Sequence, residues 1–163
     1  MAVSWRDAPE LAALARPIIQ AHHPHLLNIP VRFVWRSEMR KLRGSLAAGT
    51  CEIVTGRFAF FVMTEEEAEL ADEAGCSGKM FWIEIAADYW ETLDDAQRLA
   101  LLDHELSHAG VVVDEEKEGI QLEMIPHDIE EFIHIVERHG PWDRALTELV
   151  SAADLHAARV MFD

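Results

Sequence analysis

Cysteine is scarce: Cys51 and Cys76 are the only two in 163 residues, and neither lies in a CxxC or CxxxH arrangement. That excludes a disulfide scaffold and points to a reducing, cytoplasmic setting. Long apolar runs are missing too. None approaches the roughly 18 residues that a membrane span requires, and the strongest, Phe58 to Met63, is short enough for a buried strand. The first 17 residues break their apolar positions with Arg6, Asp7, Glu10 and Arg16, which leaves no hydrophobic stretch of the signal-peptide kind. Basic residues are few. Fourteen Lys and Arg stand against 30 Asp and Glu, a formal charge of −16, and a surface that negative repels phosphate backbones, so nucleic acid is not expected as a direct ligand. Repeats and low-complexity linkers are absent, and one domain over residues 1–163 is expected.

Half of the residues are hydrophobic and 27% are charged, the profile of a globular chain able to bury a core. The acidic runs Glu65, Glu66, Glu67 and Glu69, and Asp114, Glu115, Glu116 and Glu118, read as solvated faces without chemistry. Asp7 followed by Ala8 to Ala21 reads as a capped amphipathic helix kinked by Pro17, with Leu11, Leu14, Ile18 and Ile19 on its apolar face. Val31, Phe33 and Trp35 alternate as in a strand with one buried face. Gly49 to Val54 and Arg57 to Val62 read as a hairpin turning at Thr55-Gly56. Thr64 opens a short acidic helix that Gly75 to Gly78 closes, and Met80 to Ala86 is dense in β-branched and aromatic residues, a strand. Thr92 with Asp95 begins a helix over Ala96 to Ala109 that Gly110 stops. After a loop and a short strand at Ile120 to Met124, helices are expected from about His127 to His139 and from about Trp142 to Phe162, separated by Gly140-Pro141. Strands gathered ahead of helices make the class α+β.

The helix over Ala96 to Ala109 carries His104-Glu105-Leu106-Ser107-His108, an HExxH sequence. Residues four apart on a helix lie one turn above each other, so both imidazoles can meet one ion at about 2.0–2.1 Å. Glu105 lies about 100° round the helix from His104, placed to reach a water at the ion as a general base. A catalytic zinc keeps three protein ligands and one open position. His127, nineteen residues after His108 and at the expected start of the next helix, is the favoured third ligand; Glu130 and Glu131 are its rivals.

The stretches IEIAADYW, LLDHELSHAG and IPHDIEEF, between Ile83 and Phe132, resemble the phage metallopeptidase family and, more distantly, the SprT-like zincins. The resemblance implies a zincin-like fold: a small mixed or antiparallel sheet packed on the HExxH helix, with further helices towards the C-terminus. It also implies a zinc-dependent peptidase acting on protein or peptide, with His127 of HDIEEF as third ligand beside His104 and His108. In such relatives the strand ahead of the helix can pair with extended substrate, which would make Phe81 to Ala86 an edge. SprT-type proteins that act on DNA-bound protein carry basic or zinc-binding DNA modules, and neither is present here.

The other histidines are read more plainly. His22, His23 and His25 flank a proline and are expected to be exposed and not a second metal site. His134 could line the cleft or pack against the core, and Tyr89 could pack or donate to an oxyanion. Trp82, Trp90 and Phe81 read as core, and the cysteines as small buried hydrophobes. Asp103, Asp128, Glu130 and Glu131 are candidates to orient the ligand imidazoles. The rival to an enzyme is a non-catalytic zincin-like module that binds a partner protein. Oligomeric state and substrate are not legible.

Overall fold

A computed structural model describes residues 2–42, 44–116, 119–142 and 144–161. Glu118 of the second acidic run and Phe162 at the end of the last expected helix lie outside them. The described residues form two compact units, 1–125 and 126–163. The class is mixed α and β, as the strand and helix patterns imply.

In the first unit, β1 (Trp5–Asp7), β2 (Val31–Arg36), β5 (Gly49–Val54) and β6 (Met80–Ala86) build a four-stranded sheet in the order β1-β2-β6-β5. The β2–β6 pair is parallel, with Phe33 opposite Ile83, and the two outer pairs are antiparallel. The remaining strands, β3 (Arg40–Leu42) with β4 (Ser45–Ala47) and β7 (Ala109–Asp114) with β8 (Gly119–Met124), form two antiparallel hairpins. The helices are α1 (Pro9–His22), α2 (Gly56–Val62), α3 (Glu65–Ala74), α4 (Ala87–Trp90) and α5 (Asp95–Ser107).

Strand alternation sorts the sheet's side chains. Phe33 and Trp35 of β2 and Phe81, Ile83 and Ile85 of β6 join Leu11 and Ala15 of α1 and Leu102 and Leu106 of α5 in one core. Each fully buried leucine there contributes about 1.5–3 kcal/mol. The packing of Leu102 and Leu106 locks the rotation of α5, and with it the direction in which the intervening residues point. Val54, Ala59 and Met80 form a smaller cluster, packed by Val62, Met63 and Trp82.

Several local expectations are met and several are corrected. Thr64 caps α3 in a reciprocal bond pair with Glu67, and Gly75 ends it at φ 80°. The start of α5 is capped by Asp94 with Gln97, whereas the Thr92 hydroxyl donates to the Tyr89 carbonyl. Asp7 does not cap α1. It pairs with Val34 in β1, and the helix begins at Pro9, whose missing N–H costs nothing there, and continues through Pro17. Arg57 to Val62 is helix α2 and not a strand. Gly56 turns the chain at φ 63°, Ala59 alone of the segment is buried, and Phe58, Phe60 and Phe61 stay largely exposed. β6 is also not an edge: it lies between β2 and β5, so both its sides are already paired. Gly110 belongs to β7, where a Cβ would come within 2.7 Å of the Glu123 side chain, and α5 ends three residues before it.

The second unit holds α6 (Ile133–His139) and α7 (Arg144–Val160), in which Leu146 is buried. Residues 125–132 are irregular, against the helix expected from His127. Glu131 explains part of this. Its carboxylate accepts from the amide of Phe132 at 2.7 Å and from the Trp142 indole at 3.1 Å, and such a local side-chain bond competes with helical pairing. Among the described residues no helix is long and apolar enough to cross a membrane.

Candidate metal centre

The HExxH sequence occupies the last turn of α5, with His108 as the C-cap residue. His104 is exposed, His108 half-buried and Glu105 buried, with 4% of its surface accessible. The rings of His104 and His108 lie 5.1 Å apart at 85°, as residues one helical turn apart should when both face one point.

A backbone clasp then directs the chain after β8. The amide of Ile125 donates to the His108 carbonyl at 2.8 Å, and the Nδ1–H of His108 donates to the Ile125 carbonyl at 2.7 Å. A carbonyl can only accept, so His108 carries a proton on Nδ1, and Nε2 is the ring atom that would ligate a metal. His127 follows two residues later. One ligating atom from each of His104, His108 and His127 lies within 4.8 Å of the other two. Tetrahedral coordination at zinc–nitrogen distances needs nitrogens about 3.3 Å apart. Side-chain rotation covers that difference, and three neutral imidazoles suit a borderline-soft divalent ion, so the donor set fits a metal. Glu130 is exposed, and the Glu131 carboxylate is held by Phe132 and Trp142.

Glu105 is the one carboxylate among the described residues that is buried. Burial pushes its carboxyl up from 4.5 to about 7. Its side chain lies directly over the backbone of Gly49 at the start of β5. Cys51, two residues along the same face of that strand, is half-buried, and burial, then the Glu105 and Glu52 charges, raise its thiol to about 12.

His22 and His25 are exposed as expected, and His23 corrects the expectation. His23 is 8% exposed, and its Nε2 lies 2.6 Å from the Asp103 carboxylate, one residue before the motif. The Nε2–H of His25 donates to the Ala109 carbonyl at 2.9 Å, one residue after it. Both therefore brace the end of α5, and Asp103 is committed to His23. These contacts span 80 and 84 residues of chain, and no local pattern announces them. The signal for Gly49 was present, since an isolated glycine in a strand marks close approach of another group. His134 and Asp128 are exposed, as is Tyr89 at 37%, whereas Phe81 is core, Trp90 is partly buried against that core and Trp82 against the smaller cluster.

No curated protein and no solved structure matches this chain. A family model does, over residues 3–154, and its description is Putative phage metallopeptidase. The match takes in β1 through most of α7, the HExxH turn and His127 included. On that coverage the chain belongs to this metallopeptidase family.

Proposed function

We propose that this protein is a zinc-dependent metallopeptidase in which His104, His108 and His127 hold the metal and Glu105 is the general base. The observation that carries the reading is the convergence of three imidazoles next to a buried carboxyl that has lost its ordinary acidity. When bound, a divalent ion would supply a Lewis acid that polarises a carbonyl and acidifies water. The protein's own part is to place and move protons. Glu105 takes a proton from the attacking water and returns it to the leaving amine, for which a group titrating near neutrality is well matched. The Ile125 carbonyl keeps His108 in the tautomer that offers Nε2. Asp103, bonded to His23, holds the turn in place from the opposite end of the motif.

The reading extends to a zincin-like single functional domain and to a protein or peptide substrate. β5 is the edge strand beside the motif helix, so its outward backbone groups, and not those of β6, would pair with an extended peptide.

Elemental analysis of protein purified without added metal tests the ligand set, and a peptide-library digest tests the activity. About one zinc per chain in the wild type, lost in His104→Ala and His127→Ala but kept in Glu105→Gln, with cleavage only by the wild type, is the expected pattern. A zinc-loaded wild type that cleaves no peptide would favour the non-catalytic binding module. A His127→Ala protein that keeps its zinc would hand the third position to another residue.

A further inference from the structure

Gly49 is the first residue of β5 and pairs with Ile85 of β6, whose side chain is fully buried in the core. Residues opposite each other in an antiparallel pair project to the same face, so a side chain at 49 would point towards α5. There it would meet Glu105: a Cβ would sit 2.5 Å from Oε1 and 2.8 Å from both Cδ and Cγ. Real Cβ atoms do not approach that closely, so the carboxylate arm occupies the space an alanine methyl would need.

The backbone does not ask for glycine at this position. Gly44, Gly56, Gly75, Gly78 and Gly140 have positive φ, and Gly49 does not. Glycine inside a strand also loses packing and chain entropy relative to alanine. Space for Glu105 is what remains to account for it. The Glu105 side chain is buried and lies against the strand at Gly49. Its direction is therefore set by surfaces, and the bare strand backbone is the surface beneath it.

We propose that Gly49 is the positioning residue for Glu105: the missing side chain makes a floor on which the carboxylate lies. The catalytic half of this rests on the general-base reading; the contact itself does not. The atoms in the way, Cγ, Cδ and Oε1, all belong to the Glu105 side chain and none to backbone, so a methyl at 49 turns that side chain aside without breaking the sheet. The three nearest atoms such a methyl would meet all belong to Glu105 and none to a histidine.

Two measurements on the full-length chain test this. The first needs no turnover: in metal-free protein, the midpoint of urea unfolding is compared for Gly49→Ala alone and in a Glu105→Ala background. Gly49→Ala is expected to lower the midpoint when Glu105 is present and to raise it once Glu105 is gone; equal shifts in both backgrounds overturn the proposal. The second is steady-state hydrolysis of a peptide that the wild type cleaves. Gly49→Ala is expected to bind zinc as the wild type does and to lose about 100-fold in kcat with KM unchanged, the usual cost of a misplaced catalytic group. A kcat equal to wild type, or a loss confined to KM, overturns the proposal while leaving Glu105 as base. An inactive wild type overturns the general-base reading instead, and the stability cycle still decides whether Gly49 is there for Glu105.

Discussion

His108 and Ile125 bond each other twice, ring Nδ1 to carbonyl at 2.7 Å and carbonyl to amide at 2.8 Å, so one residue fixes both the tautomer of a candidate ligand and the path of the chain towards His127. Removing one strand of this clasp should loosen the site without deleting a candidate ligand. Ile125→Pro abolishes the amide and is expected to weaken zinc binding by about 10–100-fold, the usual cost of losing a group that orients a ligand. Competition with a chelator of known affinity measures it, and unchanged affinity would mean that the clasp does not shape the site.

His23 is expected to be a stability residue for the motif helix. Truncation to alanine removes a 2.6 Å bond to Asp103 and empties a buried position. Together these cost about 2–3 kcal/mol. The urea midpoint should fall accordingly in His23→Ala, whereas the exposed neighbour His22 should tolerate alanine.

The buried Glu105 carboxyl gives metal-free protein a pH-dependent weakness. Its folded-state pKa, about 7, lies above the ordinary 4.5. Below 4.5 the group is protonated in both states and costs nothing. As pH rises through 4.5 to about 7, the unfolded chain ionises first and stability falls. The loss levels off above 7 at about 3 kcal/mol. Glu105→Gln removes the ionisable group. In the presence of a chelator, the unfolding free energy of the variant should gain on the wild type between pH 4.5 and 7 and run parallel above. A difference that does not vary with pH would mean that Glu105 is not desolvated.

Both thiols should be unreactive in the folded chain. Cys51 is raised to about 12 by burial and by the nearby Glu105 and Glu52 charges, and Cys76 is raised by burial. At pH 8 a thiol with a pKa near 12 is about one part in ten thousand thiolate, and the thiolate is the reactive form. Alkylation by iodoacetamide should therefore be slow in buffer and fast in denaturant. Rapid labelling of native Cys51 would place it outside the core face of β5.

The elements that local pattern revealed are those in which every nearby residue agrees. β6 is apolar but for Glu84 and dense in aromatic and β-branched residues, and α3 carries its own cap and its own glycine stop. The motif turn of α5 was equally legible, because four-residue spacing on a helix is geometry and needs no partner. Arg57 to Val62 misleads for the opposite reason. A short apolar run fits a buried strand or a helix alike, and the strand that would have paired with it, β5, takes β6 instead.

From the sequence alone come the α+β class, the acidic surface, the pair of histidines facing one point and the glutamate beside them. All of these depend on spacing or composition over a few residues. Only the tertiary structure decided that Glu105 is buried, that Gly49 leaves it room, that His23 reaches Asp103 across 80 residues, and that His127 approaches from an irregular segment and not from a helix. Desolvation, close approach and long-range hydrogen bonds arise where distant segments meet, and no local run of residues encodes the meeting.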